Sequence, residues 1–477
     1  MTDIATSAAA PVNERLPITR LIPLGLQHVL VMYSSTIAVP FIVAAGLNLP
    51  KADIVHLVAA DLLLCGIGTI LQSLRIWKVG AQMPLVVGAS FNLVAPMIVI
   101  GNGFNLQVLY GSILTSGILV FLIAPYFTKL LRFFPPLVIG VAITLIGINL
   151  IPAGLGLIFG RNPASPDYAA PLNLSIAAIS MALVVFFYRI LPERWAQLSI
   201  LISMALGILV AYFLGAMNVS GIVSGPVIAP PKAFYFGWPQ FNVVAILSLL
   251  VVWLVMMIES VGQIVAVGKI VHKRAKPSTV ASALRVDGLM TALGGVFQSF
   301  GYITFTQNVG VVSLTGVKSR FVTVTAGIIL VILSVFPILG RFVAAVPNAV
   351  LGGVTLIMFS TVAVIGIQIL ARIDFDKIGN IVAVALSLGL GTIPVLAPHA
   401  YDKFPHQIQL FMHSGVAVGS VTVILLNLIF NYWVKDRPAE DADDPFAMIS
   451  ENDVDLPVIE APGINRSVRD RQSGGHA

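Results

Sequence analysis

Long apolar runs, interrupted by short polar segments, make up most of the chain between residues 17 and 437. A helix needs ~20 apolar residues to cross the hydrocarbon core of a bilayer. The pattern predicts an all-α polytopic membrane protein with fourteen segments, at roughly 20–45, 54–74, 80–100, 107–126, 134–151, 172–190, 196–216, 241–268, 279–298, 302–316, 321–337, 342–367, 378–397 and 409–433. Two longer connections, 152–171 and 217–240, are rich in proline, glycine and asparagine, so we expect them to be irregular.

Two of the predicted segments are unusually polar for membrane helices. The third contains Val87-Gly-Ala-Ser-Phe-Asn-Leu-Val94, and the tenth contains Phe305-Thr-Gln-Asn-Val-Gly-Val-Val312. Backbone that leaves the helix at membrane depth has to be buried in protein or face a cavity, because lipid does not satisfy its N–H and C=O groups. The two segments take corresponding positions if the chain divides seven plus seven. Such a pair is typical of transporters that hold a polar substrate near the midplane.

The basic residues indicate how the chain is oriented. If the N-terminus is cytoplasmic, the inner segments hold 22 of the 27 Lys and Arg, and the outer ones hold Lys51, Arg161, Lys232, Arg341 and Lys403. An excess of positive charge is expected on the cytoplasmic side. The distribution predicts an even number of segments with both termini in the cytoplasm. It also accounts for the net charge of +6 without a nucleic-acid partner.

Composition narrows the class of protein further. Hydrophobic residues are 57% of the chain and charged residues 10%, which excludes an ordinary soluble protein. Cys65 is the single cysteine, so the chain forms no internal disulfide and no cysteine-based metal cluster. We find no metal-ligand cluster and no nucleophile–base pair at usable spacing, so we expect neither a metal site nor an enzyme. Residues 1–17 lack a cleavable signal pattern, and the acidic residues 434–477 are predicted to be a disordered cytoplasmic tail.

Three carboxyl groups fall inside predicted membrane segments, those of Asp61, Glu259 and Asp287. A charge at the centre of a membrane helix costs about 2.5–3.5 kcal/mol on insertion scales, so each needs a partner, a proton or a water-filled cavity. Glu259 is either a helix-packing carboxylate or a substrate ligand that also takes up a proton, and Gln263 lies one turn further on the same face. Asp287 either caps its helix or pairs with Arg285, or it takes part in coupling. Asp61 is expected to hydrogen-bond within the bundle.

Three other residues have two interpretations each. A buried histidine such as His28 is most often a satisfied structural residue, although the polar pair Gln27-His28 is unusual in a membrane segment. Phe91 and Phe305 would ordinarily be assigned to packing. Their place in the two polar segments favours a second interpretation, because aromatic side chains stack well on planar heteroaromatic rings.

The tenth segment also carries a motif. The run Gln307-Asn308-Val-Gly310-Val-Val-Ser-Leu-Thr315-Gly316 resembles the signature of the nucleobase–ascorbate transporter family, also called nucleobase–cation symporter family two. That signature is Gln or Glu, Asn, any residue, Gly, four residues, Thr, and then Arg, Lys or Gly. Every fixed position matches. Other stretches within residues 20–433 are similar to the family in the same order, namely Gln27-His28, Gly88-Ala-Ser-Phe91, Glu259-Ser-Val-Gly262 and Asp287-Gly288.

The resemblance implies an architecture of fourteen segments in two inverted repeats of seven, with short antiparallel β-strands in segments 3 and 10. Segments 1–4 and 8–11 would form a core domain, and segments 5–7 and 12–14 a gate domain that mediates homodimers. In this chain the boundaries would be 1–17 for the N-terminal tail, 18–128 and 241–338 for the core domain, 129–240 and 339–433 for the gate domain, and 434–477 for the C-terminal tail.

The resemblance also implies roles for individual residues. Glu259 would hold the base, Gln307 would hydrogen-bond its edge, and two aromatic rings would flank it beside exposed backbone amides. The implied substrate site comprises Glu259, Gln307, Phe91, Phe305, Thr306, Ser90, Asn308 and Gln263. Proton coupling would involve Glu259, Asp287 and His28, and selectivity would involve Gly310, Thr315 and Gly316.

Two positions bear on the substrate. Members of the family that take uracil usually have Glu where this chain has Gln307, and those that take oxidised purines usually have Gln. An amide offers both a donor and an acceptor to the alternating edge of xanthine or urate. Gln263 departs from the family, which often has His or Asp there. Because Gln263 cannot titrate, Glu259 and Asp287 are left as the candidate proton carriers, and the choice between xanthine and urate stays open.

Together these observations predict a proton-coupled secondary active importer of uric acid or xanthine, of the bacterial xanthine/uric acid permease type. We expect it in the bacterial inner membrane, in contact with lipid, as a homodimer, with a small purine base as its other partner. We expect no cofactor, and H⁺ as the coupling ion, with Na⁺ as the alternative. A uracil permease of the same family and an anion exchanger or channel of the same fold are the rival interpretations.

Overall fold

The computed structural model of the chain describes residues 11–130, 135–160, 165, 168–192, 198–219, 222–223 and 225–432. Within these ranges the side chains of residues 33–37, 128–130, 306, 307, 314, 406, 407, 410 and 432 are not described. Residues 1–10 of the predicted N-terminal tail and the whole predicted acidic tail, 434–477, lie outside the described residues.

Helices dominate the described chain, and two short strands interrupt them. The elements are α1 (Ile18–Gly46), α2 (Lys51–Leu74), β1 (Val87–Ala89), α3 (Val94–Gly103), α4 (Leu106–Leu130), α5 (Pro136–Phe159), α6 (Pro171–Ile190), α7 (Ser199–Phe213), α8 (Val243–Ile270), α9 (Pro277–Val296), β2 (Tyr302–Thr304), α10 (Thr306–Thr315), α11 (Arg320–Ser334), α12 (Pro337–Ala345), α13 (Asn348–Leu370), α14 (Ile378–Leu396), α15 (His406–His413) and α16 (Gly415–Asn427). Short 3₁₀ turns lie at Pro11–Asn13 and Phe91–Leu93, and a π-helical turn at Leu428–Tyr432 follows α16.

Seven helices of the described chain are long and apolar enough to cross a membrane, namely α2, α4, α5, α6, α8, α13 and α14. The pair α11 and α12, which is bent by 79°, makes an eighth if it is one span. Shorter apolar stretches lie at Ile18–Met32, Phe91–Gly103, Ser199–Phe213 and Gly415–Asn431. The protein is therefore a mostly helical, multi-pass membrane protein. The count of fourteen segments stays a prediction, because it depends on these shorter and broken elements.

The two strands form a small antiparallel sheet inside the polar third and tenth segments. The register pairs Val87 with Thr304, Gly88 with Ile303, and Ala89 with Tyr302. One further hydrogen bond extends the ladder at each end, from Ser90 N to Gly301 O at 2.9 Å and from Phe305 N to Val86 O at 2.8 Å. The ladder satisfies backbone groups that lipid would leave unpaired.

Small residues bring the central helices close together. The main helix pairs are α5 with α13, α4 with α9, and α2 with α11. A Cβ added at Gly117 of α4 would clash with the backbone N of Ala292 in α9, and one added at Gly288 would lie 2.5 Å from the backbone N of Phe121. These glycines therefore allow the two backbones to touch, as is usual where membrane helices pack tightly.

Three helix boundaries differ from the prediction. Helix α5 continues through Pro152 to Phe159, so the connection expected to be irregular from residue 152 is helical in its first part. Membrane helices tolerate an internal proline when neighbouring groups satisfy the freed carbonyl. The segment predicted at 342–367 is divided before Asn348, after α12 ends. The segment predicted at 409–433 is divided at Ser414, which caps α16 by accepting a hydrogen bond from Ala417 N. The described part of 217–240 contains neither helix nor strand, as expected.

Candidate functional site

The two strands bring two helix N-termini to one small sheet. The chain leaves β1 through Ser90, whose hydroxyl accepts from Asn92 N at 3.2 Å, and enters the 3₁₀ turn and α3. It leaves β2 through Phe305 and enters α10. Because the strands are antiparallel, the two short helices begin at opposite ends of the ladder. The first backbone N–H groups of a helix have no partner within it and are available to a ligand, and each helix adds the positive end of its dipole.

An aromatic ring lies directly over β1. A Cβ added at Gly88 would lie 2.7 Å from Cδ2 of Phe305. Any residue larger than glycine at this position would therefore clash with the ring in its present position. The Phe305 side chain is 5% exposed and that of Phe91, at the other end of the ladder, is 8% exposed. The ring of Phe91 meets that of Phe359 in α13 edge-on, with centroids 5.7 Å apart. Both predicted aromatic residues therefore lie at the sheet.

Glu259 of α8 points to the same sheet and carries two hydrogen bonds. Its Oε2 accepts from Nδ2 of Asn92 at 2.7 Å, and its Oε1 accepts from Nε2 of Gln263 at 3.2 Å. Gln263 is buried, whereas Glu259 is only partly buried. The two amides hold the carboxyl in a fixed place between α8 and the turn that follows β1. A partly accessible carboxyl of this kind is able to accept hydrogen bonds from a planar base.

His28 of α1 and Asn308 of α10 form a buried pair. Nδ2 of Asn308 lies 3.0 Å from Nδ1 of His28 and donates to the His28 backbone oxygen at 3.1 Å. The two side chains are 3% and 1% exposed. The geometry fits a neutral imidazole that accepts at Nδ1. This pair fixes the start of α10 against α1.

Asp287 of α9 lies behind β2. Its Oδ2 accepts from Oγ of Ser260 at 2.5 Å, and Gln72 and Thr304 lie beside the carboxyl. The residue is fully buried. Asp287 and Ser260 therefore join α9 to α8 one residue after Glu259.

Arg285 does not pair with Asp287. Its Nη1 donates to the backbone oxygen of Lys78 instead, so the expected alternative of an Asp287–Arg285 pair is wrong. Residues two apart on a helix do not face each other.

Residues 80–82, which precede β1, are held by hydrogen bonds from other parts of the chain. Gly80 N donates to Ser282 O at 2.8 Å, and Nζ of Lys273 donates to the backbone oxygens of Ala81 and Gln82 at 3.2 and 2.9 Å. Lys273 lies in the connection between α8 and α9, where partial burial lowers the pKa of its ammonium, with Arg320 and Arg75 acting in the same direction. These bonds fix the direction in which the chain enters the sheet.

The comparisons with known proteins decide the family. The model described as Permease family, Xan_ur_permease, matches residues 19–400. The chain belongs to the nucleobase–ascorbate transporter family. The resemblance found in the sequence is thereby confirmed. The protein is accordingly a membrane transporter and not an enzyme.

Several named relatives align with this chain over nearly their whole length. This chain is 37% identical over 428 residues to the xanthine permease of Bacillus subtilis (strain 168), and the alignment covers 89% of this chain and 97% of the relative. It is 37% identical over 445 residues to the uric acid permease PucJ of the same organism, with 92% and 97% covered. It is 36% identical over 416 residues to the uric acid transporter UacT of Escherichia coli (strain K12), with 86% of each chain covered.

Solved structures of distant transporters share the fold of the permease. The transmembrane domain of a cyanobacterium bicarbonate transporter, BicA, matches with a TM-score of 0.56 and 14% identity, over 87% of this chain and 99% of that one. The murine anion transporter Slc26a9 in the inward-facing state matches with a TM-score of 0.57 and 13% identity, over 87% and 69%. At this identity the likeness shows the fold alone.

The structure brings most of the predicted site residues of the permease to the sheet. Ser90, Phe91, Phe305, Glu259 and Gln263 lie there, whereas Asn308 uses its amide on His28. Thr306 and Gln307 begin α10, but their side chains lie outside the described part of the chain. Further along α10 are Gly310 and Thr315, whose hydroxyl donates to Val311 O, and Gly316 ends the helix in the left-handed conformation.

Sequence reasoning missed Asn92, which makes the shorter hydrogen bond to Glu259. One signal was available, since an amide in the polar third segment needs a partner at membrane depth. Its partner is 167 residues away along the chain, and no local pattern identifies it.

We expect His28→Ala to lower the free energy of unfolding of the permease by about 1–3 kcal/mol, because the buried Asn308 amide loses its ring acceptor and a cavity is left. The midpoint of thermal denaturation of the purified protein measures this effect. His399→Ala is the matched control, since the His399 side chain is 91% exposed. Equal midpoints for the two variants would show that the His28–Asn308 pair contributes no stability.

Proposed function

We propose that the permease imports an oxidised purine, urate or xanthine, by proton-coupled alternating access. The observation that carries this proposal is the carboxyl of Glu259, held by Asn92 and Gln263 beside two helix N-termini and two aromatic rings. Such a site offers an acceptor, backbone donors and flat apolar faces to one planar heterocycle. Relatives with 36–37% identity are named xanthine permease, uric acid permease and uric acid transporter, which favours a purine.

The oxidised purine would lie between the ends of the two strands. Its ring N–H groups would donate to Glu259, and its carbonyl oxygens would accept from backbone N–H groups after Ser90 and after Phe305. Gln307 would bond the remaining edge, because an amide donates and accepts at once. Phe91 and Phe305 would hold the two faces of the ring, and Asn308, Gly310, Thr315 and Gly316 would set the shape of the path along α10.

Proton coupling would run through Glu259 and Asp287, with His28 fixing the geometry. Ser260 follows Glu259 on α8 and donates to Asp287, so the two carboxyl groups are attached to neighbouring positions of one helix. A proton on Glu259 would remove its repulsion for urate, which is itself acidic. The charge of one proton crossing ~100 mV is worth about 2.3 kcal/mol, enough for roughly fiftyfold accumulation. Na⁺ is the alternative coupling ion.

The packing of the helices supports two moving parts. Helices α1, α2, α4, α8, α9 and α11 contact one another, and α5, α6, α7, α13, α14 and α16 form a second set. If the chain repeats after seven segments, α2 corresponds to α9 and α4 corresponds to α11, so the contact pairs α2–α11 and α4–α9 are equivalent. This equivalence supports fourteen segments in two inverted halves. We assign the first set to the core domain and the second to the gate domain, with the boundaries given by the sequence. The core domain would move against the gate domain around the site.

The remaining assignments follow from the same topology. The excess of Lys and Arg in the predicted inner segments supports two cytoplasmic termini and a bacterial inner membrane. We assign dimer formation to the gate domain, whose α6 and α14 carry many exposed apolar side chains, including Phe186, Ile190 and Ile378.

Anion exchange is the second candidate function, since the solved structures that share the fold belong to bicarbonate and anion transporters. Glu259 weighs against it, because the carboxyl repels an anion unless it carries a proton, as proposed above for urate uptake. Saturable purine uptake in cells without their own permeases separates the candidates. We expect labelled xanthine or urate to enter, each displaced by the other and not by excess uracil. Uptake of uracil alone, or ionic current without purine binding, would overturn the assignment of the substrate.

A further inference from the structure

The site described above makes no use of Asp61, the third carboxyl at membrane depth. It is the eleventh residue of α2, a helix of 24 residues and ~36 Å, so it lies near the middle of the helix. Its side chain is 0% exposed. A carboxyl in this position is costly unless it is protonated or hydrogen-bonded, so its surroundings indicate what it does.

The surroundings of Asp61 include one side chain of strand β2. Cys65, one turn further along α2, donates its thiol to Oδ1 at 3.5 Å. The hydroxyl of Tyr302 lies beside the same carboxyl and lies 2.8 Å from Oγ of Ser299. Tyr302 belongs to β2, where it pairs with Ala89 of β1. Oδ2 of Asp61 has no hydrogen-bond partner among the described residues, and the Tyr302 hydroxyl beside the carboxyl belongs to the strand that leads to Phe305.

The charged groups of the neighbouring elements are directed elsewhere. On the described part of the helices packed against α2, Arg20 at the start of α1 is exposed, and the other charged side chains and His28 have partners elsewhere. His28 bonds Asn308, Arg285 bonds Lys78 O, Asp287 accepts from Ser260, Arg320 bonds Ser73 O and Leu74 O, and Arg341 bonds Pro226 O. None of these described groups gives Asp61 a counter-charge.

The hydroxyls of Ser299 and Tyr302, which lie 2.8 Å apart, would serve both forms of the carboxyl. With Asp61 ionised, Ser299 would donate to Tyr302, and the Tyr302 hydroxyl would turn to donate to the carboxylate, whose Oδ2 has no partner among the described residues. With Asp61 protonated, its O–H would donate to Tyr302, and the Tyr302 hydroxyl would turn to donate to Ser299. Hydroxyls rotate freely to suit either direction, so one proton moves without breaking the heavy-atom arrangement. Ser299 follows Gln298, which bonds Phe236 N and Gly237 O in the predicted outer connection.

We propose that Asp61 is a further proton-binding residue, which takes up and releases one H⁺ during each transport cycle and acts on the substrate site through Tyr302 and β2. The proton comes from water and returns to it, and no other reactant takes part. The inference rests on the proposed proton coupling, and it adds a carboxyl outside the substrate site to the groups that bind a proton. Asp61 is thus a positioning residue, since it acts through another side chain.

The test uses the purified full chain in lipid vesicles. Infrared difference spectra on adding xanthine, and in a second series urate, follow the C=O band of protonated carboxyl groups. The variants are Asp61→Asn, which keeps the size but cannot bind the proton, and Cys65→Ala, which removes the thiol that donates to the carboxyl. Asp53→Asn is the matched control, being the same change on the same helix, at a partly exposed residue bonded to Tyr235. The same vesicles are assayed for exchange and for uptake driven by a proton gradient.

We expect a substrate-induced carboxyl band that Asp61→Asn abolishes, Cys65→Ala moves and Asp53→Asn leaves unchanged. Exchange should stay within about twofold in Asp61→Asn, whereas accumulation falls by up to roughly fiftyfold at ~100 mV, the value of one proton charge. Substrate-induced difference spectra that Asp61→Asn leaves unchanged would overturn the proposal, and so would normal accumulation by Asp61→Asn. If Asp61→Asn does not fold, a carboxyl band that Cys65→Ala leaves in place would overturn the proposal as well. Wild-type uptake that does not depend on the proton gradient would contradict the proposed coupling itself. The spectra would still show whether Asp61 changes its protonation when substrate binds.

Discussion

Glu259→Gln is expected to reduce saturable purine uptake by about two orders of magnitude at substrate concentrations below KM. The carboxylate accepts from Asn92 and Gln263 and would accept from the base, and each hydrogen bond to a charged group is worth about 1.5–3 kcal/mol. A glutamine keeps the shape of the side chain but turns one acceptor into a donor, which opposes the amides that now bond it. Initial rates of labelled xanthine and urate uptake in cells lacking their own permeases measure the loss.

The matched control for this variant is Asp374→Asn. Asp374 is half exposed, and its Oδ2 lies 3.5 Å from Nζ of Lys377. This ion pair is not part of the sheet. Its loss should leave uptake close to the wild-type rate, since exposed ion pairs contribute little. Membrane expression of both variants has to match the wild type. If Glu259→Gln transported as fast as Asp374→Asn, the carboxyl would be a packing group, which is the other interpretation that the sequence allowed.

Gly88→Ala is expected to reduce transport by roughly ten- to a hundredfold, because overpacking a close contact costs about 1–3 kcal/mol. The new Cβ would lie 2.7 Å from Cδ2 of Phe305 and would push the ring off β1. The ring would then narrow the space meant for the base. Uptake kinetics measure the effect, and a rise in KM is expected to exceed the fall in maximum rate.

Gly389→Ala serves as the control for the glycine change. Nothing lies within 4 Å of a Cβ added at Gly389, and alanine favours a helix interior. A second comparison isolates the role of the ring. In a Phe305→Ala background, Gly88→Ala should add little, because the two sites share one contact. An unchanged effect of Gly88→Ala in that background would mean that the strand itself, and not Phe305, is sensitive to the added methyl.

Sequence reasoning identified the candidate site because polar residues are rare at membrane depth. The third and tenth segments stood out by their amides, hydroxyls and glycines, and the structure has its two strands there. The same argument singled out Glu259, Asp287 and Asp61. The sequence does not show which side chains lie beside these carboxyl groups. Asn92, Ser260 and Tyr302 lie beside Glu259, Asp287 and Asp61 because of the tertiary fold, and no helical spacing in the sequence indicates these neighbours.

The predicted helix boundaries were wrong where a local sequence signal and the packing of the helix disagree. The sequence predicts an irregular connection from Pro152, yet α5 continues through this proline, as membrane helices can when neighbouring groups satisfy the freed carbonyl. The break between α12 and α13 has the opposite cause. There the apolar run continues across residues 342–367, but Pro347 lacks an N–H and the helix restarts at Asn348. Hydropathy alone sees no interruption at that point.

The most direct measurement of the central claim is purine uptake by the purified permease in lipid vesicles with an imposed proton gradient. Labelled xanthine and urate are supplied outside, with uracil in parallel, and an uncoupler is added at the plateau. We expect at least one purine to accumulate above its outside concentration, uracil not to accumulate, and the uncoupler to release the excess. Purine accumulation that survives the uncoupler, or accumulation of uracil alone, would contradict the claim.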